Sequence, residues 1–185
     1  MNEYKVSKED KMIMKLIHYF VTKENYKPVV VRGVDNEIWL ENLDNEIPLI
    51  RINTNYIHNN EQLEIDQRKV TVIRKTIKKK TFSINMNVLN LLVNAREEVN
   101  VIEDSNIFSI KCNSITELKK NKFMTEYFPN FKDGVLNKNA GYGDMFEMTE
   151  ELNRKTLEND NDLSKVFLRH DTPYITYILI FINVV

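Results

Sequence analysis

Hydrophobic residues recur three and four positions apart in two stretches of the chain, a period that is typical of amphipathic helices. In the first stretch, residues 8–24, the apolar positions are Ile13, Leu16, Ile17, Phe20 and Val21. In the second, which ends near Lys80, they are Leu63, Val70, Ile73 and Ile77. Ser7 precedes the first stretch and Asn59 or Asn60 precedes the second, and these residue types cap helix N-termini. The pattern therefore predicts two long helices.

Three short segments with strand character lie between these helices, at residues 27–32, 37–41 and 47–53. Turn-forming residues separate them at 33–36 and 42–45. In the middle segment Ile38 and Leu40 alternate with Trp39, so they face opposite sides of a strand. The spacing predicts an antiparallel three-strand meander, and we expect one of the long helices to cover Trp39.

Two further strands are predicted after the second helix, at residues 82–93 and 107–112, followed by a helix that starts at Ser114 and ends before Phe128-Pro129. The predicted fold class is thus α/β, a three-layer domain over residues 1–128. This element order is similar to that of the restriction-endonuclease-like core. That family needs an Asp on one strand and Glu-x-Lys on the next, but the third strand here carries Leu49-Ile50-Arg51. The resemblance therefore implies a shared architecture without nuclease activity.

Residues 129–170 differ in character from the preceding part of the chain. Three of the four glycines lie there, and asparagine and acidic residues are dense. A short helix is expected near residues 145–157, and the rest of this stretch is predicted to be a flexible linker.

The final segment, residues 171–185, contains the uncharged run PYITYILIFINVV at residues 173–185. Thirteen residues are too few to cross a bilayer, which takes about 20 in a helix. We expect this run to be the truncated start of a first transmembrane helix, with Lys165 and Arg169 on its cytoplasmic flank. The alternative is a buried C-terminal strand, because Tyr, Ile, Thr and Val favour strands.

Composition and charge narrow the range of partners. The 185 residues include 26 Lys and Arg against 27 Asp and Glu, giving a net charge of −1. No overall field steers such a chain toward nucleic acid, so we expect no nucleic-acid partner. The single cysteine, Cys112, excludes an intramolecular disulfide and fits a reducing compartment.

The candidate contact site is the basic end of the second helix. The residues predicted to contact a membrane or a protein partner are Arg74, Lys75, Lys78, Lys79 and Lys80. Cations at a helix C-terminus also stabilise the helix dipole, so a solvated helix end is the competing interpretation. Nucleic-acid binding is disfavoured because no aromatic residues are interleaved to stack bases.

No catalytic, cofactor-binding or metal-ligating residues are predicted. The isolated histidines, His18, His58 and His170, form no zinc-binding motif. Asp35, Asp44 and Glu46 have the chemistry of a divalent-cation site, but acidic residues are also common in turns. No Gly-Lys-Ser/Thr phosphate loop is present either.

Several landmarks in chain order resemble rhomboid intramembrane serine proteases that carry a soluble domain ahead of the membrane core. They are DNEIWLE at residues 35–41, the helix with a basic end, FPNF at residues 128–131, Val166-Phe167, and a Thr-Pro-x-x-Thr pattern at residues 172–176. The resemblance implies a regulatory or interaction domain on the cytoplasmic side of the cell membrane. The parent protein would then cleave membrane-protein substrates.

The sequence departs from this family in its catalytic residues. Rhomboid proteases need a Gly-x-Ser-Gly nucleophile, and none of the six serines in this chain is followed by glycine. We therefore expect this chain to lack protease activity, although the parent protein that the resemblance implies is a serine endopeptidase. The alternative interpretation is an independent soluble α/β interaction domain.

Overall fold

The protein is built on a five-stranded mixed sheet whose strands lie side by side in chain order. The computed structural model describes residues 7–29, 31, 34, 37–83, 85–101, 104–135, 147, 150–152 and 154. The strands are β1 (Lys27–Val29), β2 (Glu37–Glu41), β3 (Leu49–Asn53), β4 (Val88–Leu92) and β5 (Ile107–Lys111). The first three are antiparallel neighbours, whereas β4 runs parallel to β3 and β5 parallel to β4. The predicted α/β class is therefore confirmed.

The helices begin at polar caps, as the sequence indicates. They are α1 (Lys8–Thr22), α2 (Asn60–Thr81), α3 (Ile115–Leu118), α4 (Lys122–Tyr127) and α5 (Phe131–Gly134). The Ser7 hydroxyl accepts a hydrogen bond from the backbone N–H of Asp10, at 3.0 Å. The Asn59 side chain accepts one from the N–H of Gln62, at 2.9 Å. Each bond satisfies an N–H that has no partner inside its helix.

The alternation of side chains along the strands creates two apolar faces. Leu40, Ile50 and Leu89 belong to the core that includes α1. Trp39, Leu49 and Val88 belong to a second core, which includes Val70 of α2. The two long helices therefore lie on opposite faces of the sheet, and Trp39 is covered by α2 as predicted.

The core on the α1 face extends past the predicted domain boundary at residue 128. Phe131, Val135 and Leu152 are all buried in it. The Phe131 ring meets Tyr19 of α1 edge-on, with 4.9 Å between centroids. Because these residues fall within the predicted linker, 129–170, the described parts of that segment contribute to the folded body.

Two predicted elements have different bounds in the structure. The strand expected at residues 82–93 starts only at Val88, because α2 continues to Thr81 and ends with Phe82 in the left-handed region, at φ 52°. The helix expected from Ser114 onward is split into α3 and α4, since Asn121 starts a new helix by accepting from the N–H of Met124. An asparagine side chain that bonds to nearby backbone competes with helix continuation.

The predicted transmembrane segment, residues 171–185, lies outside the described residues. In the part of the chain that the structure describes, no helix combines the length and apolar character needed to span a bilayer.

Candidate functional site

A row of polar side chains crosses the sheet beneath α2. Arg51 of β3 is the register partner of Trp39 on one side and of Asn90 on the other, and Asn90 is the partner of Ser109. Register partners share a face of the sheet, so this row lies on the same face as the core under α2. The Asn90 amide donates to the Ser109 hydroxyl at 3.0 Å.

Arg51 is the centre of a buried ion cluster. Its Nε and Nη2 donate to the two carboxylate oxygens of Glu37, at 2.7 and 2.6 Å. Its Nη1 and Nη2 donate to the two carboxylate oxygens of Asp66 on α2, at 2.7 and 2.6 Å. A fifth bond runs from Nη1 to Oδ1 of Asn90, at 2.9 Å. All five guanidinium donor positions are therefore used, which satisfies the side chain completely.

Further contacts balance the charge around Glu37. Lys69 of α2 donates to Oε1 of Glu37 at 2.7 Å, and the Trp39 indole donates to Oε2 at 3.1 Å. Burial by itself would raise the pKa of Glu37, but the hydrogen bonds and charges of Arg51 and Lys69 outweigh it and lower that pKa. Two cations thus face two carboxylates, Glu37 and Asp66, and the cluster is electrically neutral.

The sequence patterns did not predict this cluster, although in the comparison with nucleases Leu49 stands at the acidic position of Glu-x-Lys and Arg51 at the lysine position. One signal was available. Arg51 lies on the same face of its strand as Leu49 and Asn53, which are two positions away on either side. Asp66 and Lys69 lie three residues apart on the next helix and therefore share one face of that helix. A charged residue inside an apolar strand next to such a pair indicates a buried ion pair.

The five residues of the predicted contact site do not all face outward. Arg74 turns toward the sheet, where its Nη1 donates to Oδ1 of Asn106 at 2.8 Å and to the carbonyl of Met86 at 3.3 Å. Arg74 thus ties α2 to the segments that precede β4 and β5.

The other four residues form a surface at the C-terminal end of α2. Lys75, Lys79 and Lys80 are exposed, and Lys78 is half-buried. Phe82, which follows directly, is 92% exposed and is the most exposed large hydrophobic residue in the described part of the chain. We call this surface, made of Lys75, Lys78, Lys79, Lys80 and Phe82, the basic tip.

The two described histidines, His18 and His58, contact neighbouring side chains. His18 is buried on α1, and its Nε2 lies 2.7 Å from Oε2 of Glu151. This hydrogen bond lowers the pKa of Glu151 and ties residue 151 to α1. The ring of His58 packs edge-on against Tyr56, with 4.3 Å between centroids, and His170 lies outside the described residues.

Two of the three acidic residues considered for a cation site, Asp44 and Glu46, are among the described residues. Asp44 and Glu46 are exposed in the turn before β3, and Asp35 is not among the described residues. The N–H of Asp44 donates to the Asn42 side chain, as in an ordinary Asx turn. Among the residues that are described, no three His, Cys, Asp or Glu side chains form a group able to hold a metal ion.

The sequence matches no protein-family model and has no significant match among curated proteins. Function must therefore be inferred from the residues and their geometry.

Proposed function

We propose that this chain is a non-catalytic cytosolic regulatory or interaction domain of a rhomboid-type intramembrane serine protease, and that its basic tip lies against the membrane. The missing Gly-x-Ser-Gly supports the absence of protease activity, and the buried guanidinium of Arg51 between Glu37 and Asp66 supports the absence of nuclease chemistry. The proposed rhomboid family membership is supported by the sequence landmarks and does not depend on the Arg51 cluster.

The Arg51 cluster bears on the comparison with the restriction-endonuclease-like core. In the proposed architecture, a three-layer arrangement of helix, three-strand meander, helix and further strands, catalysis would require sheet carboxylates that hold a metal and activate water. Here Glu37 and Asp66 accept hydrogen bonds from Arg51 instead. A buried carboxylate that already has cationic partners gains little by taking up a metal ion, so this cluster acts as a structural element.

The basic tip supports a membrane-facing position. Each lysine near an anionic leaflet contributes about 1 kcal/mol of attraction. Phe82 adds an apolar ring at the same end of α2, and combined basic and aromatic groups are common where proteins contact the membrane interface. The part of the proposed linker, 129–170, that lies beyond the folded body and the membrane segment proposed at 171–185 would keep this surface close to the bilayer on its cytoplasmic side.

Vesicle binding tests the membrane contact. The full chain with Lys75→Glu and Lys79→Glu is compared with wild type on phosphatidylcholine vesicles containing about 30 mol% phosphatidylglycerol, at low salt. We expect partitioning to fall by about tenfold or more, because the change reverses two charges that face the lipid. The matched control is Lys120→Glu with Lys122→Glu, which changes the net charge equally at exposed positions elsewhere.

Two outcomes would contradict this part of the proposal. One is an equal loss of partitioning in the test and control variants, which would show a response to net charge alone. The other is unchanged partitioning of the test variant, which would leave the basic tip as a solvated helix end.

The family assignment has a separate test, which is the coding sequence that follows Val185. We expect further apolar helices that carry Gly-x-Ser-Gly and a partner histidine. A downstream sequence without them would contradict the rhomboid assignment and favour an independent α/β interaction domain.

A further inference from the structure

A groove of about 650 Å³ opens beyond the carboxyl ends of β4 and β5. Its walls are the first two turns of α1, the segment that follows β4, and the segment from Cys112 into α3. In sheets with parallel strands, crevices at the carboxyl ends of the strands are the usual place for ligands. The volume lies within the range of sites for small organic molecules, roughly 300–1,000 Å³.

Lysines dominate the charge of this groove. Four of them line it, namely Lys8, Lys11, Lys15 and Lys119, against two glutamates, Glu9 and Glu97. Glu9 also accepts a hydrogen bond from the Asn94 amide, which draws its carboxylate toward the wall that follows β4. The groove therefore has an excess of positive charge, whereas the whole chain has a net charge of −1.

The lysines are close enough to repel one another. Burial, and then the charges of Lys119 and Lys11, lower the pKa of Lys15. Lys15 and Lys119 come from elements more than 100 residues apart, so the tertiary fold brings these charges together. An anion placed among them would relieve this repulsion.

The remainder of the lining is suited to an organic molecule. Met12, Val93 and Cys112 are buried and supply an apolar floor. Burial raises the pKa of the Cys112 thiol, so this cysteine is an inert part of the floor. Ser114 and Thr116 add hydroxyl groups at the rim.

We propose that this groove binds a soluble organic phosphate of about mononucleotide size, with its phosphate among Lys11, Lys15 and Lys119. Ammonium groups bind phosphate as point charges, and the apolar floor accepts the organic part of the ligand. The groove lies at the end of the sheet opposite the basic tip, because β4 and β5 start beside Arg74 and end at the groove. A soluble ligand therefore reaches it while the basic tip faces a membrane.

Calorimetric titration of the full chain with AMP at low salt tests the proposal, with adenosine as the uncharged matched ligand. We expect AMP to bind and adenosine not to bind. Lys15→Gln with Lys119→Gln should weaken AMP binding by about tenfold or more, because it removes two of the three ammonium groups proposed to contact the phosphate. Lys75→Gln with Lys79→Gln removes the same charge from the basic tip and should leave AMP binding unchanged.

A second measurement guards against a variant that is merely misfolded. In the wild-type chain, AMP should shift the amide resonances of Ser114 and Thr116, which line the groove, and leave those of Thr76 and Thr81 on α2 in place. Absence of AMP binding at millimolar concentration, or equal binding of AMP and adenosine, would overturn the proposal. A third contradicting result would be that the chain binds phosphatidic acid vesicles through Lys15 and Lys119 but does not bind AMP. The groove would then recognise a lipid headgroup.

Discussion

The guanidinium of Arg51 donates two parallel hydrogen bonds to the carboxylate of Glu37, and both side chains are removed from solvent. The two residues lie on adjacent antiparallel strands, and Arg51 pairs in register with Trp39, two positions beyond Glu37. The bidentate geometry fixes both side chains. The polar groups on this face of the sheet therefore form their hydrogen bonds with one another.

Removal of the guanidinium should destabilise the fold strongly. In Arg51→Met, Glu37 and Asp66 lose the cation they share, and breaking a buried ion pair by removing one partner costs about 3–5 kcal/mol. Urea unfolding followed by circular dichroism gives the free energy of unfolding. The matched control is Arg68→Met, since Arg68 is an exposed arginine on α2 whose ion pair with Glu64 spans 3.5 Å. Its expected loss is below about 1 kcal/mol, and similar losses in the two variants would contradict a central role for Arg51.

The pH dependence of stability should report on Glu37. Because the pKa of Glu37 is lowered in the folded protein, its carboxylate contributes stability above its ordinary pKa, and this contribution is lost as pH falls through the lowered value. Glu37→Gln should therefore be less stable than wild type at neutral pH. The difference should shrink below about pH 4, as measured by urea unfolding across a pH series.

Glu41 provides a control, because its pKa is shifted in the direction opposite to that of Glu37. Burial raises its pKa, so its contribution is present at low pH and is lost as pH rises through the raised value. Glu41→Gln should gain stability relative to wild type as pH rises. If both variants showed the same trend, the opposite environments assigned to the two carboxyl groups would be wrong.

We expect Phe82 to lower the free energy of unfolding of the chain and to strengthen its binding to membranes. It ends α2 with a positive φ of 52°, a conformation that suits glycine better than a residue with a side chain. Because its ring is 92% exposed, Phe82→Gly loses little packing and should raise the free energy of unfolding by about 0.5–1 kcal/mol. The same variant should bind anionic vesicles more weakly than wild type. Weaker vesicle binding without the gain in stability would mean that the backbone of residue 82 is unstrained.

The folded body should require residues beyond 130. A chain ended after Asn130 lacks Phe131, Val135 and Leu152, each of which is buried. At about 1.5 kcal/mol or more per buried side chain, it should be less stable than a chain ended after Arg154 by at least about 4 kcal/mol. Urea unfolding of the two chains measures the difference. Equal stability would support the boundary at residue 128 that the sequence predicts.

Local patterns predicted most of the secondary structure. The strand Glu37–Glu41 has the predicted bounds, and Ser7 and Asn59 cap the two long helices as their residue types indicate. Such features depend on neighbours within a few positions, which the order of residues shows directly. Errors arose where local signals compete, as at Asn121, which starts a helix inside a segment read as one continuous helix.

For the candidate sites too, local features could be predicted from the sequence, whereas contacts between distant residues could not. The sequence by itself determined where the positive charges of α2 lie, and that Trp39 faces away from Ile38 and Leu40. Only the tertiary structure decided that Arg74 turns inward, that Arg51 meets Glu37 and Asp66, and that Phe131 joins the core. It also decided that Lys15 and Lys119 line one groove. These relationships join residues far apart in the chain, and their energies depend on burial and distance, which the spacing of residues along a sequence does not contain.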